Sequence, residues 1–287
     1  MITRAEVILL ALLTACAPQA PARQGLMNVG DASLRYEATA GGRTPVVFIH
    51  GWALNMDVWN DQLAAFSPTH RVIRYDLRGF GQSTGDADNT ANADDLRILL
   101  DSLGVRSAHL VGLSRGAGVA ADFAVHWPDR VKTLVLYGFG PTPDFPLPPE
   151  MAGGPPFAAI ARAHGVDSLK QWLMASPLAW EPPDRPDIRA KLGPIMAAYD
   201  GRDLLHSRPP SGRVAPATIE DLSRLTIPTL LLHGDHEMPM LQALADSLMR
   251  RMPTARRLVI RNAGHGAHLH RPDEFNREVL AFLAGAR

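Results

Sequence analysis

The sequence predicts an α/β fold, a mostly parallel sheet with helices on both faces. Two observations carry that reading. Short apolar runs rich in Val, Ile and Leu alternate with longer segments whose apolar residues recur at helical spacing, the pattern of βα units. Several of those runs end in glycine-rich turns, where a strand must hand over to a crossover. In order, residues 33–39 alternate like an exposed strand and run into Gly41-Gly42. Residues 45–49 form a short buried strand, 57–66 a helix and 71–75 the next strand, followed by the loop Asp76-Leu77-Arg78-Gly79-Phe80-Gly81. Residues 92–103 make an amphipathic helix with Leu96, Leu99, Leu100 and Leu103 on one side. A strand at 108–113, a helix at 116–126 and a strand at 133–137 follow. A strand at 229–233, a helix through the 240s, a strand at 257–260 and a helix at 272–283 complete the rhythm.

Between these halves the rhythm breaks. Residues 140–222 open Pro-rich, with Pro141, Pro143, Pro146, Pro148 and Pro149, and continue as helix-like pieces at 158–163, 167–174 and 186–199. Trp172, Met174, Trp180 and Met196 carry too much apolar area to stay solvated. The segment is therefore expected to be a helical lid over the end of the sheet. The expected organisation is residues 1–24 as leader and spacer, 25–139 and 223–287 as the core, and 140–222 as the lid.

At 287 residues the chain fits one α/β domain with an insertion, or at most two small domains. It is 46% hydrophobic and 20% charged, which excludes global disorder. Lys+Arg and Asp+Glu are 29 each, so no global basic field exists to hold nucleic acid. One cysteine, Cys16, excludes an intramolecular disulfide and a cysteine-based metal cluster.

Residues 1–24 read as a targeting segment. Arg4 supplies positive charge, and Val7 to Ala15 is an apolar run too short to span a bilayer. It ends in Leu13-Thr14-Ala15-Cys16, which resembles a bacterial lipobox. That resemblance implies a lipidated Cys16, a membrane anchor through its acyl chains, and a place in the bacterial cell envelope. The Pro/Ala/Gln stretch after it would serve as an extended spacer.

The chemistry-bearing motif is Gly112-Leu113-Ser114-Arg115-Gly116, which leaves the strand at 108–113 and opens a helix. In this context G-x-S-x-G makes a sharp turn that lifts one hydroxyl above the carboxyl ends of the strands. Cβ atoms at Gly112 and Gly116 would clash with neighbouring elements. The helix N-terminus adds free N–H groups and positive dipole.

Three further landmarks join it. His50-Gly51-Trp52 follows the strand at 46–49, Asp76-Leu77-Arg78-Gly79-Phe80-Gly81-Gln82-Ser83 forms a D-x-R-G-x-G-x-S loop, and Ala263-Gly264-His265-Gly266 precedes Arg271-Pro272-Asp273-Glu274-Phe275. With these the chain resembles the α/β-hydrolase fold family over nearly its whole length after the leader. The resemblance implies Ser114 as nucleophile and His265 as general base and acid. It places the orienting carboxylate at Glu237, three residues after Gly234, with Asp235 as the alternative acid. It puts the oxyanion hole at the backbone N–H groups of Trp52 and Arg115, each such donor worth about 2.7–4 kcal/mol.

Ser114 in place of Asp argues against the dehalogenase and epoxide-hydrolase branches. His268 and His270 suggest a metal site only weakly, since no carboxylate cluster accompanies them. No cofactor and no metal is expected. The implied activity is a serine hydrolase of ester-like bonds in small or medium acyl substrates, acting through an acyl-enzyme. Carbon–carbon bond hydrolysis and lactone opening use the same side chains. A lipid-surface lipase and a non-catalytic ligand-binding protein are the remaining alternatives. Oligomeric state is not legible.

Overall fold

The computed structural model of the chain describes residues 22–41, 44–147, 157–175, 185–206 and 209–285. Cys16, Trp180, Glu181 and Asp184 lie outside the described residues. Strands β1 (Arg23–Asn28) and β2 (Ser33–Ala38) form an antiparallel hairpin. The sheet thus begins at Arg23, inside the segment expected to be leader and spacer, so Arg23 and Gln24 are sheet residues. β3 (Val46–Ile49), α1 (Asn60–Phe66), β4 (Val72–Tyr75), α2 (Asn89–Ser102), β5 (Ala108–Leu113), α3 (Arg115–His126) and β6 (Val131–Tyr137) follow. Among the described residues, four helices then intervene: α4 (Phe157–His164), α5 (Val166–Ala175), α6 (Pro186–Ala197) and α7 (Arg202–Leu205). α8 (Ile219–Ser223), β7 (Thr229–Gly234), α9 (Pro239–Arg251), β8 (Ala255–Ile260), α10 (Ala267–His270) and α11 (Pro272–Gly285) complete the chain.

The eight strands run in the order β1-β2-β4-β3-β5-β6-β7-β8, and every pair from β4 to β8 is parallel. β3, β4 and β5 are buried throughout, the continuous apolar reading of a sheet covered on both faces. α1 packs with α11, whereas α2, α3, α8 and α9 contact one another in series. Right-handed crossovers require that split, because the chain moves outward from β3 to β4 and then back across to β5. The loops after β3 and β5 therefore part at the switch point of the sheet, where a crevice opens.

Local capping moves two expected boundaries. Asp88 accepts the Thr90 N–H (2.9 Å), so α2 starts earlier than its leucine pattern alone suggests. Asn55 caps a short 3-10 turn, Met56–Trp59, which precedes α1 where one helix was expected. Beneath them Phe48 packs on Trp59 (4.9 Å) and edge-on to Phe66 (5.0 Å).

The inserted helices sit against the loops after β3 and β4. Phe157 stacks on Trp52 at 4.7 Å, and Arg202 donates to the carbonyls of Gly79, Gly81 and Ser83. Met196 is buried, but Trp172 is 49% exposed. α5 buries Leu169 and Leu173, and Trp172 falls off that face.

Candidate active site

β5 delivers Ser114 at φ 53°, ψ −114°, a conformation that L-residues rarely adopt. Close packing holds the strain. The Ser114 N–H donates to Tyr137 O (2.8 Å), and its carbonyl accepts from Ala117 and Gly118 in α3. A Cβ on Gly112 would lie 2.2 Å from Gly116 O, and one on Gly116 would lie 2.2 Å from Ile49 O. Both glycines are thus required for backbone to approach backbone on either side of the turn.

His265 lies in the loop after β8, 5% exposed, and its Nδ1 donates to Glu237 Oε2 at 2.8 Å. An ionised carboxylate can only accept, so the proton resides on Nδ1 and Nε2 keeps its lone pair. The other Glu237 oxygen accepts the Met238 N–H (2.9 Å) at the start of α9, where helix dipole and free amides favour negative charge. Asp235 takes a different place. Its Oδ1 accepts the Ala263 N–H (3.0 Å), while His236 N–H donates to Ala263 O (3.0 Å). Partial burial opposes it, but the amides of Ala263 and Asn262 hold the Asp235 carboxyl below the usual range. Asp235 therefore fastens the loop that carries His265. A Cβ on Gly234 would lie 1.9 Å from Ala263 O, so the two loops interlock at van der Waals limits.

Ser114 and His265 each pack against the end of β6. Tyr137 accepts the Ser114 N–H, and the next residue, Gly138, lies so close to the imidazole that a Cβ would sit 2.6 Å from His265 Cε1. Gly138 also has φ +53°. Tyr137 anchors the histidine loop from beneath, its hydroxyl donating to His265 O (2.5 Å). The His268 N–H donates to the same hydroxyl (3.2 Å), and His270 Nδ1 accepts the Gly264 N–H (3.2 Å). His268 and His270 are thus buried parts of the loop support. Burial drives the His268 pKa well below its ordinary value. Among the described residues, no group of three or more His, Cys, Asp or Glu side chains could hold a metal ion.

The Trp52 and Arg115 backbones flank the turn. The Arg115 N–H stands in the first turn of α3, where no acceptor lies within the helix. Their side chains hold other partners. Trp52 Nε1 donates to Asp203 Oδ2 (2.7 Å) and Tyr199 Oη donates to Asp203 Oδ1 (2.6 Å), tying the inserted helices to the loop after β3. Burial and the Asp203 carboxylate push the Tyr199 hydroxyl far above its ordinary value. The Arg115 guanidinium donates to Asn89 Oδ1 (2.6 Å) and lies over Phe80 (5.1 Å).

Two of the sequence landmarks prove architectural in their contacts. His50 Nδ1 donates to Gly51 O and its Nε2 accepts the Leu77 N–H (2.9 Å), and burial lowers its pKa. Asp76 accepts the amides of Met56 and Gln82, both at 2.8 Å, and Arg78 pairs with Asp95 at 2.6 Å. Both loops are held rigid beside the crevice.

A cavity of about 640 Å³ opens at Ser114 and is lined further by Trp52, Arg115, Gly118, Asp122 and Phe157. Burial pushes the Asp122 carboxyl up to about 6, against the Ala217 N–H (2.7 Å) and His126, which favour the ionised form. A separate cleft of about 490 Å³, lined by Asp57, Gln82 and Lys191, contains none of Ser114, Glu237 and His265. Tyr137, Asp203 and Asp122 have no motif signal in the sequence; each is defined by a contact far along the chain.

Residues 46–278 match the profile of the Alpha/beta hydrolase family. A carboxylesterase of Bacillus subtilis is 28% identical over 250 residues, covering 84% of this chain and 80% of that protein. A 2-hydroxy-6-oxononadienedioate/2-hydroxy-6-oxononatrienedioate hydrolase of Burkholderia vietnamiensis is 31% identical over 265 residues, 87% of this chain and 90% of that protein. The crystal structure of an enol-lactonase from Burkholderia xenovorans superposes with a TM-score of 0.76 at 23% identity, covering 91% of this chain and all of that one.

Proposed function

The chain belongs to the Alpha/beta hydrolase family, a family of hydrolases, and from that membership together with the geometry at Ser114 we propose that it is a serine hydrolase of ester-like bonds. One observation carries the reading: a buried His265–Glu237 pair packed against Gly138, next to the residue that holds the strained Ser114 turn.

In this mechanism Ser114 Oγ attacks the substrate carbonyl as His265 Nε2 takes its proton. The imidazolium is stabilised by Glu237 through Nδ1. The Arg115 and Trp52 N–H groups receive the negative oxygen of the tetrahedral intermediate. His265 then protonates the departing alcohol, leaving an acyl group on Ser114. A water molecule, deprotonated by the same imidazole, releases the acid. The inserted helices act as a lid, held by Trp52 and Asp203, and shape the cavity where the substrate sits.

Fluorophosphonate labelling and the burst phase with p-nitrophenyl acetate test this. Labelled Ser114 in the wild type and no turnover in Ser114→Ala are expected. Folded wild-type protein with no labelling at Ser114 would leave a ligand-binding protein on a hydrolase scaffold. The 31%-identical relative favours a second reading, an oxo-acid substrate cleaved by the same side chains. A panel of esters, lactones and oxo-dioic acids separates the two.

We also propose that the chain is lipid-anchored through Cys16 in the cell envelope. Among the described residues no helix is long and apolar enough to cross a membrane. Palmitate incorporation by the wild type and its loss in Cys16→Ser is the expected result. Equal labelling of both would remove the anchor.

A further inference from the structure

The cavity at Ser114 has a direction. Arg115, Gly118, Val119 and Asp122 all line it, and they recur along one face of α3. Asp122 lies eight residues beyond Ser114, roughly 12 Å along the helix at about 1.5 Å per residue. Gly118, midway, leaves the channel open: a Cβ built there meets nothing within 4 Å. The near end of the channel is the oxyanion side, and His265 is absent from its lining among the described residues. The departing alcohol must stay within reach of the imidazole that protonates it. The channel along α3 therefore receives the acyl part.

Charge is unevenly distributed along it. Near Ser114 the Arg115 guanidinium is engaged by Asn89 and lies over Phe80. At the far end Asp122 has one protein donor among the described residues, the Ala217 N–H to Oδ1. His126 lies one turn further along α3, and its Nδ1 contacts the Asp122 main-chain carbonyl rather than the carboxylate. A carboxylate lining a mostly apolar channel eight residues beyond Ser114 selects for a positive group and against a negative one.

We propose that this channel takes the acyl arm of the substrate and that Asp122 receives a cationic group at its far end, making esters of medium-length ω-ammonio acids the preferred class. The proposal rests on Ser114 as the nucleophile. It runs against the oxo-dioic acid substrate named for the 31%-identical relative, whose second carboxylate would meet Asp122.

The test compares p-nitrophenyl esters of hexanoate, ω-trimethylammonio-hexanoate and the half-ester of adipate, at pH 8 where Asp122 is ionised. The wild type is expected to favour the cationic ester over the neutral one in kcat/KM by about tenfold or more, the low end for a half-buried charge pair, and to disfavour the adipate half-ester. In Asp122→Asn, which keeps an acceptor for the Ala217 N–H, the cationic-to-neutral ratio should fall to about one, its charge preference gone. Gly118→Leu should lower the hexanoate-to-acetate ratio by about tenfold, because a side chain would fill the channel midway. A wild-type ratio near one, a ratio unchanged by Asp122→Asn, or preference for the adipate half-ester overturns the proposal. Fluorophosphonate labelling of Ser114 in each variant keeps this separate from the parent reading: labelled enzyme without charge selectivity sinks the acyl channel alone, and unlabelled wild-type enzyme sinks both.

Discussion

Replacing Glu237 by Gln removes one charge from the centre of the proposed mechanism and leaves the shape almost unchanged. The perturbation is well defined, because Glu237 is 3% exposed and its Oε2 lies 2.8 Å from His265 Nδ1. When His265 takes the Ser114 proton, the imidazolium gains an opposite charge about 4 Å from its centre, worth roughly 4 kcal/mol at an effective dielectric near 20. At about 1.36 kcal/mol per decade this is close to 10³ in rate. The amide adds a second fault. Its NH₂ can face Nδ1 and favour the wrong tautomer, and carboxylate-to-amide exchange in a Ser-His-Asp protease costs about 10⁴ in kcat. Glu237→Gln is therefore expected to lower kcat on p-nitrophenyl acetate by about 10³–10⁴ with KM little changed. Asp235→Asn is the control. The amide oxygen can still accept the Ala263 N–H, so kcat should stay within about tenfold of the wild type. Steady-state kinetics on both variants, with circular dichroism to confirm the fold, decides the matter. A Glu237→Gln enzyme within tenfold of the wild type beside an Asp235→Asn enzyme that is dead would refute the assignment.

Gly138→Ala should cost about 10² in kcat/KM, the penalty of displacing a reacting group by about an ångström, because the new methyl would lie 2.6 Å from His265 Cε1. It should also cost about 1–2 kcal/mol of stability for the positive φ, measurable by urea titration. Asp203→Ala removes the acceptor shared by Trp52 and Tyr199. Amide hydrogen exchange should then speed up in residues 157–164 and 202–205 and stay unchanged in β5 and β6. Asp122→Asn should raise stability at pH 8 but not at pH 4. The folded-state pKa of Asp122 (about 6) lies above the ordinary 3.8, so ionisation weakens the fold. That penalty is absent below about pH 4, grows up to about pH 6 and is constant above. Two pKa units correspond to roughly 3 kcal/mol, and screening at this partly buried site leaves about 1–2 kcal/mol. Thermal melts at the two pH values check it, and equal shifts at both would disprove the electrostatic origin.

The parallel strands from β3 to β7 were legible because each is a mostly apolar run buried on both faces. β1 was not. Its residues, Arg-Gln-Gly-Leu-Met-Asn, do not alternate, they are mostly exposed, and only antiparallel pairing with β2 makes them a strand. Ser114 stood out because Gly112 and Gly116 flank it for steric reasons, and His265 because its Gly-His-Gly loop follows the last strand. Asp235 and Glu237 could not be separated by spacing alone, since which carboxylate turns toward the imidazole depends on how two loops interlock at Gly234 and Ala263. Tyr137 read as an ordinary strand residue; its hydroxyl bonds a carbonyl 128 residues later, a relation that no local pattern records. The same holds for Asp203, which sits in an insertion without periodic landmarks and acts through a tryptophan 151 residues earlier.

The contacts also separate what this scaffold can vary from what it cannot. Gly112, Gly116, Gly138 and Gly234 each leave less than 2.7 Å for an added Cβ, and three of those contacts are to backbone, which cannot rotate away. Any side chain there must move a strand end, and interiors at this density transmit such a shift directly to Ser114 or His265. Gly118 is in the same helix as Gly116 yet has open space beside it. Two residues, about half a helical turn, thus divide a position fixed by backbone packing from one free to define the proposed acyl channel. Asp122 follows the same logic from the energetic side. The fold retains a half-buried carboxylate whose ionisation weakens it above about pH 4, a cost that the proposed cationic group would offset on binding.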